Sequence, residues 1–116
     1  MHELSVCRNL MAQVQEIAAQ HQARAVDSIY LQIGPLSGVV PELLQSAFAI
    51  ASRNSVADGA SLIIDASPVR VLCQRCGVRS DTTVNHLVCR SCGDWHTQLI
   101  SGDELMLQRV VLSTEH

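Results

Sequence analysis

Cys73-Gln74-Arg75-Cys76-Gly77 and Cys89-Arg90-Ser91-Cys92-Gly93 are two copies of one pattern, with twelve residues between Cys76 and Cys89. Each Cys-x-x-Cys pair sets two thiols about one tight turn apart. That suits two vertices of a tetrahedron with metal–sulfur distances of about 2.3 Å. A glycine follows each pair, and glycine tolerates the positive φ that lets backbone N–H groups turn back toward the sulfurs. Two such knuckles facing each other make a zinc ribbon, with Cys73, Cys76, Cys89 and Cys92 as the ligands.

Other uses of the four cysteines fit less well. A redox Cys-x-x-Cys pair normally occurs once, at the start of a helix that lowers one thiol pKa. A secreted disulfide framework would spread its cysteines along the chain, whereas here four are bunched and Cys7 stands alone. An iron–sulfur cluster also takes four thiolates, but paired knuckles with glycines favour Zn²⁺. Four thiolates leave no open coordination position, so the expected role is structural. A segment this small has little core of its own, and losing the metal should unfold it.

Working outward, the ribbon reads as an insertion. Leu4, Cys7, Leu10, Met11, Val14, Ile17 and Ala18 form a 3.6-residue apolar stripe, predicting an amphipathic helix over 4–21. Ile29, Leu31 and Ile33 alternate with Ser28, Tyr30 and Gln32, predicting a half-buried strand stopped by Gly34-Pro35. Pro41 sits where a first helical turn accepts it, and Leu43, Leu44, Ala47, Phe48, Ile50 and Ala51 continue a second helix to about Asn54. A turn at Asp58-Gly59 leads into a strand over 61–66, punctuated by Pro68. Val69 to Leu72 runs straight into the first cysteine pair. After a Gly102-Asp103 turn, 104–112 alternates through Leu105, Leu107 and, less cleanly, Arg109 and Val111, as a strand returning to the first sheet.

The 116 residues allow one core plus a small module, and 47% apolar content supports that core without crosslinks. The net charge is −3 and all eight basic residues are arginine, which gives no electrostatic case for nucleic acid as a partner. No apolar stretch approaches the ~20 residues of a membrane span. The Met1-His2-Glu3 start has no signal-peptide core, so the expected location is cytoplasmic. There is no Gly-rich phosphate loop and no ordered nucleophile, base and acid set, so the chain reads as no enzyme.

His2 lies beside the α-amine. The Met1 amine, the His2 amide nitrogen and imidazole, and the Glu3 amide can together present a plane of four nitrogens. Ni²⁺ and Cu²⁺ reward such a field and Zn²⁺ does not. The plainer account makes His2 and Glu3 solvated residues ahead of the first helix, with Glu3 favourable near its N-terminus.

Met1-His2-Glu3-Leu4-Ser5 ahead of an amphipathic helix, Ile33-Gly34-x-x-Ser37 after the first strand, and the two knuckles together resemble the HypA/HybF family of hydrogenase-maturation nickel metallochaperones. The resemblance runs along essentially the whole chain. It implies an α+β fold: two helices packed on a small three-stranded sheet, with an inserted four-cysteine zinc-ribbon lobe. Residues 1–68 plus 104–116 would form the nickel-binding α/β domain and 69–103 the zinc-ribbon domain. Nickel, as transient cargo, would bind at Met1, His2 and Glu3; structural Zn(II) would bind at the four cysteines. The implied partners are the nickel-handling GTPase HypB and the [NiFe]-hydrogenase large-subunit precursor, with urease a further target of some members. An acidic side chain before the second helix serves near nickel in some members, and here only Glu42 could do so.

Of the remaining candidates, Cys7 lies on the helix stripe and reads as a buried thiol. His21 and His116 read as solvated. His86 and His96 lie in or beside the ribbon, where four cysteines already suffice for zinc; His96 could reach a metal brought by the other lobe. Arg70, Arg75, Arg79 and Arg90, diluted by Asp81 and Asp94, form either a solvated face or a docking surface for an acidic partner. A zinc-ribbon module for protein or nucleic-acid interaction is the rival function. A homodimer formed by exchange of the inserted ribbon is compatible with the sequence.

Overall fold

The computed structural model describes residues 3–113. Its elements are α1 (Glu3–Gln20), β1 (Ala25–Ile33), α2 (Pro41–Ala51), β2 (Ser61–Ala66), β3 (Val69–Cys73), β4 (Arg79–Thr82), β5 (Thr97–Ser101) and β6 (Leu105–Ser113). They fold as two compact units. One comprises 3–31, 39–65 and 106–113, and the other comprises Gln32–Gly38 and Ala66–Leu105.

The first unit is two helices packed on a three-stranded sheet of order β2-β1-β6. In α1 the buried residues are Val6, Cys7, Leu10, Met11, Val14 and Ala18, spaced as a helix with one apolar face requires. Leu4, which the periodicity places on that stripe, is instead 52% exposed, and Val6 is buried in addition. Leu44 and Phe48 of α2, Ile29 and Leu31 of β1 and Leu62 of β2 complete the apolar interior, with Ile29 and Leu44 fully enclosed.

Two boundaries differ from expectation for local reasons. β1 begins at Ala25, three residues earlier than its alternation shows. Val26 and Ile29 are both buried, which breaks the period of two, and the Val26 N–H donates to the Val56 carbonyl rather than continuing a regular pattern. α2 ends at Ala51 because Asn54 turns to φ 60°, where its N–H donates to Asp58 Oδ2. β6 runs antiparallel to β1, since Arg24 N–H donates to the Ser113 carbonyl at one end and Gly34 N–H to the Glu104 carbonyl at the other. Arg109 stands over the Tyr30 ring, 4.2 Å from its centroid, on the face opposite Ile29 and Leu31. A cationic side chain there is held by the aromatic ring, which accounts for its place in an otherwise apolar strand.

The second unit has a sheet of its own, in order β4-β3-β5, where the sequence predicts only a loop between cysteines. β3 pairs antiparallel with both neighbours, Val71 facing Ser80 on one side and Leu99 on the other. The 32–38 segment joins this unit through bonds from Leu36 N–H to Gly102 O and from Ser67 N–H to Ile33 O. Gly34 meets Gly102 so closely that a Cβ on Gly34 would overlap the Gly102 carbonyl.

Candidate metal centre

The two Cys-x-x-Cys segments adopt the same turn. Cys73 N–H donates to Val78 O (3.0 Å) and Gly77 N–H to Cys73 O (2.9 Å). In the second segment, Cys89 N–H donates to Asp94 O (2.9 Å) and Gly93 N–H to Cys89 O (2.9 Å). In both turns the N–H of the second cysteine points at the sulfur of the first, 3.4 Å for Cys76 to Cys73 Sγ and 3.4 Å for Cys92 to Cys89 Sγ. Closing each turn requires a left-handed residue, and Gly77 (φ 77°) and Gly93 (φ 75°) supply it without a Cβ penalty.

These turns bring the four sulfurs within 4.8 Å of one another. Cys73 and Cys92 sulfurs lie 3.6 Å apart, as do those of Cys76 and Cys89. A tetrahedron with zinc–sulfur bonds of about 2.3 Å has edges of about 3.8 Å, so the donor set fits a four-thiolate metal site. Cys73 and Cys89 are buried, while Cys76 and Cys92 are exposed. The acidities follow the same division. The Cys92 N–H, with help from Ser91 and against burial, brings the Cys89 thiol down to about 6, and Cys73 is lowered chiefly by the Cys76 N–H. An Asp94 N–H favours the Cys92 thiolate, but burial and the neighbouring sulfurs outweigh it and push Cys92 up to about 12. The buried pair thus ionises readily and the exposed pair resists, until a cation offsets the gathered negative charge.

Asp94 secures the second turn. Its Oδ1 accepts from the His96 N–H (2.8 Å) and lies 2.6 Å from His96 Nδ1, and its Oδ2 accepts from Arg75 Nη1 (2.9 Å). These donors hold its carboxyl well below the usual range, led by the His96 N–H and then the Arg75 guanidinium. Arg75 belongs to the first turn, so this ion pair ties the two turns together. Arg70 is likewise paired with Asp81 at 2.8 Å. Two of the four ribbon arginines are therefore ion-paired internally, and Arg90 Nη1 donates to the Asp81 carbonyl at 3.5 Å. His96 is not among the gathered metal donors; its ring stacks on Trp95 at 3.8 Å, and Trp95 is 72% exposed. In the sequence Asp94 is only a diluting charge, and its place directly after Gly93 is the one signal of its role.

Met1 and His2 lie outside the described residues, as does His116. Glu3 opens α1, and its Oε1 accepts from Val40 N–H at 3.4 Å, which sets the start of α1 against the start of α2. Glu42 is in the first turn of α2, where its carbonyl accepts from Ser46 Oγ. Cys7 is fully buried and its thiol pushed up by that burial. His21 Nδ1 lies 2.9 Å from the Ile17 carbonyl at the end of α1. No helix among the described residues is long and apolar enough to cross a membrane.

The family model described as "Hydrogenase/urease nickel incorporation, metallochaperone, hypA" matches residues 1–112. The hydrogenase maturation factor HypA of Nitrosospira multiformis is 43% identical over 114 residues, covering 98% of this chain and 99% of that protein. HypA of Aquifex aeolicus is 33% identical over 115 residues, covering 99% and 100%. The solution structure of the nickel metallochaperone HypA from Helicobacter pylori superposes with a TM-score of 0.71 at 28% identity, covering 99% of this chain and 100% of that one. With the four-cysteine centre, the two-helix unit and near-complete coverage in agreement, this chain belongs to the HypA family of nickel-incorporation metallochaperones for hydrogenase maturation.

Proposed function

We propose that this chain binds one Ni²⁺ through the Met1 amine, the His2 amide and imidazole and the Glu3 amide, and passes it to a nickel-enzyme precursor. What supports this reading is the Met1-His2-Glu3 sequence, whose Glu3 is the first residue of α1, in a chain of a nickel-incorporation family. Binding requires the amine and imidazole to shed protons, with ordinary pKa values of about 8 and about 6.5. Nickel affinity therefore falls as pH drops. Ligands at a chain end can leave a metal one at a time, which suits cargo that must be surrendered.

Zn²⁺ at Cys73, Cys76, Cys89 and Cys92 is structural in this reading, fixing the second unit as a surface that partners recognise. The first unit is the nickel lobe. The acceptor is the [NiFe]-hydrogenase large-subunit precursor, with urease as a further candidate. The GTPase HypB supplies the nucleotide-driven step, since this chain has no phosphate-binding loop. All of these meet in the cytoplasm.

The test is a nickel titration of untagged protein beside His2→Ala, with zinc quantified in both. Wild type should take up one Ni²⁺ that His2→Ala loses, while both keep one Zn²⁺. Nickel bound equally by both would remove the N-terminal site. Nickel bound by neither would leave a zinc-ribbon interaction module as the better account.

A further inference from the structure

The four cysteines of the second unit are not equivalent toward a reagent arriving from solvent. Cys76 and Cys92 are exposed, whereas Cys73 and Cys89 are each 1% exposed. The buried sulfurs are also held by backbone donors. Cys73 Sγ accepts from the Arg75 and Cys76 N–H groups and Cys89 Sγ from the Cys92 N–H, each at 3.4 Å. The two 3.6 Å sulfur contacts run between the turns, and each joins an exposed cysteine to a buried one: Cys92 to Cys73, and Cys76 to Cys89. Every exposed sulfur thus has a sheltered thiol of the other turn beside it.

We propose that this centre is an oxidation site for peroxides: Cys76 and Cys92 are oxidised first, Cys89 and Cys73 convert them into two disulfides between the turns, and the metal is released. The inference rests on the reading of the four cysteines as a zinc centre and is independent of the nickel site. A thiolate is the species that attacks a peroxide, and coordination keeps a ligating thiol deprotonated. Exposure then decides which sulfur reacts. The Cys92 sulfur takes one oxygen from hydrogen peroxide as the O–O bond breaks, leaving a sulfenic acid and hydroxide. The Cys73 thiolate attacks that sulfur, an S–S bond forms and a second hydroxide departs. Cys76 and Cys89 repeat the sequence. Two peroxides are reduced to four hydroxides, four thiolates give up four electrons, and no anionic ligand remains to hold the cation.

A disulfide sets its sulfurs about 2.05 Å apart, so each 3.6 Å pair must close by about 1.5 Å. The two links tie the turns together where the metal tied them. The oxidised ribbon is therefore ready to reload once a thiol reductant restores the four cysteines. Bonds within each Cys-x-x-Cys pair would leave the turns without a covalent tie. A transient, sensing disulfide of this kind differs from both a permanent framework and a helix-borne redox pair.

The test is hydrogen peroxide treatment of the zinc-loaded full chain, with free thiols blocked by N-ethylmaleimide before tryptic mapping. The chain has no lysine, and Arg75, Arg79 and Arg90 place the four cysteines on separate peptides, 71–75, 76–79, 80–90 and 91–109. With peroxide below one equivalent and dimedone present, the trapped sulfenic acid should lie on 76–79 and 91–109. With two equivalents and no dimedone, 71–75 should be linked to 91–109 and 76–79 to 80–90. One zinc per chain should reach a colorimetric chelator, against none without peroxide. Cys7, fully buried, should remain a free thiol. A thiol reductant with added zinc should restore one zinc per chain. Full retention of zinc, links within a Cys-x-x-Cys pair, dimedone on Cys73 or Cys89, or sulfinic acid without disulfide would each overturn the proposal. A starting protein that holds no zinc would remove the metal centre itself, and this inference with it.

Discussion

Glu3 and Val40 meet through one hydrogen bond, the Val40 N–H donating to Glu3 Oε1 over 3.4 Å, so the first residue of α1 serves the first turn of α2. Val40 occupies the N-cap position and has no side-chain acceptor of its own. A carboxylate brought there from another helix is favoured by the helix dipole. Glu3→Ala should therefore destabilise the first unit by about 0.3–1 kcal/mol, read by urea titration. If nickel uses only the Glu3 amide, the same variant keeps its nickel stoichiometry. Loss of nickel in Glu3→Ala would instead assign the carboxylate to the metal.

Removing a sulfur should act on the second unit first. Cys89→Ser takes away a buried thiol that anchors one turn, and the expected result is loss of the single zinc and collapse of the β3–β4–β5 signals in amide exchange. The amides of α1 should stay protected. Retention of zinc by three cysteines with intact exchange protection would contradict a closed structural site.

Acid should slow zinc uptake by the metal-free protein. In the folded turn the Cys92 and Ser91 N–H groups bring the Cys89 thiol down to about 6, so wherever that turn persists without metal its thiolate is present above that pH and lost below it. Stopped-flow uptake rates should fall as pH drops through this range. A rate that is flat from neutrality to about pH 5 would show that entry does not begin at Cys89.

Asp94→Asn should lower the melting temperature of the zinc-loaded ribbon by several degrees, because Arg75 and His96 lose their shared carboxylate. The folded-state pKa of Asp94 is depressed. Its contribution is therefore present above the ordinary aspartate value of about 3.9 and is lost as pH falls below it. The gap between wild type and variant should persist across neutral pH. Melting curves that coincide at neutral pH would remove Asp94 as the tie between the two turns.

Leu44→Ala tests the other unit. Leu44 is fully enclosed, and truncating such a side chain costs about 2–5 kcal/mol. The variant should lose stability by chemical denaturation while keeping its zinc. A loss below about 1 kcal/mol would mean that the interior relaxes around the missing atoms.

Much of this was legible from residue order. The Cys-x-x-Cys-Gly repeats specified both turns, since the spacing and the left-handed glycine leave few alternatives. The α1 stripe and the β2 strand were equally plain. Less visible was anything set by pairing across the chain. β4 and β5 are short and largely exposed, so neither carries an apolar pattern, and they exist because β3 offers both its edges. Arg109 looks like a flaw in β6 until Tyr30, far away in sequence, supplies its partner. Asp94 is hidden for the same reason, because its donors come from His96 nearby and Arg75 in the other turn.

The segment Ala66–Leu105 sits between β2 and β6, so the first unit must close its sheet across whatever that segment becomes. With zinc bound, the connection is an ordered span of fixed reach. Without zinc it becomes a long floppy bridge, and each doubling of effective loop length costs roughly 0.6 kcal/mol in closure entropy. Chelating the zinc should thus loosen the β1–β6 pairing even though no sulfur touches it. On the proposed function, the zinc and nickel sites are linked through chain topology alone, and depriving a cell of zinc should blunt its handling of nickel.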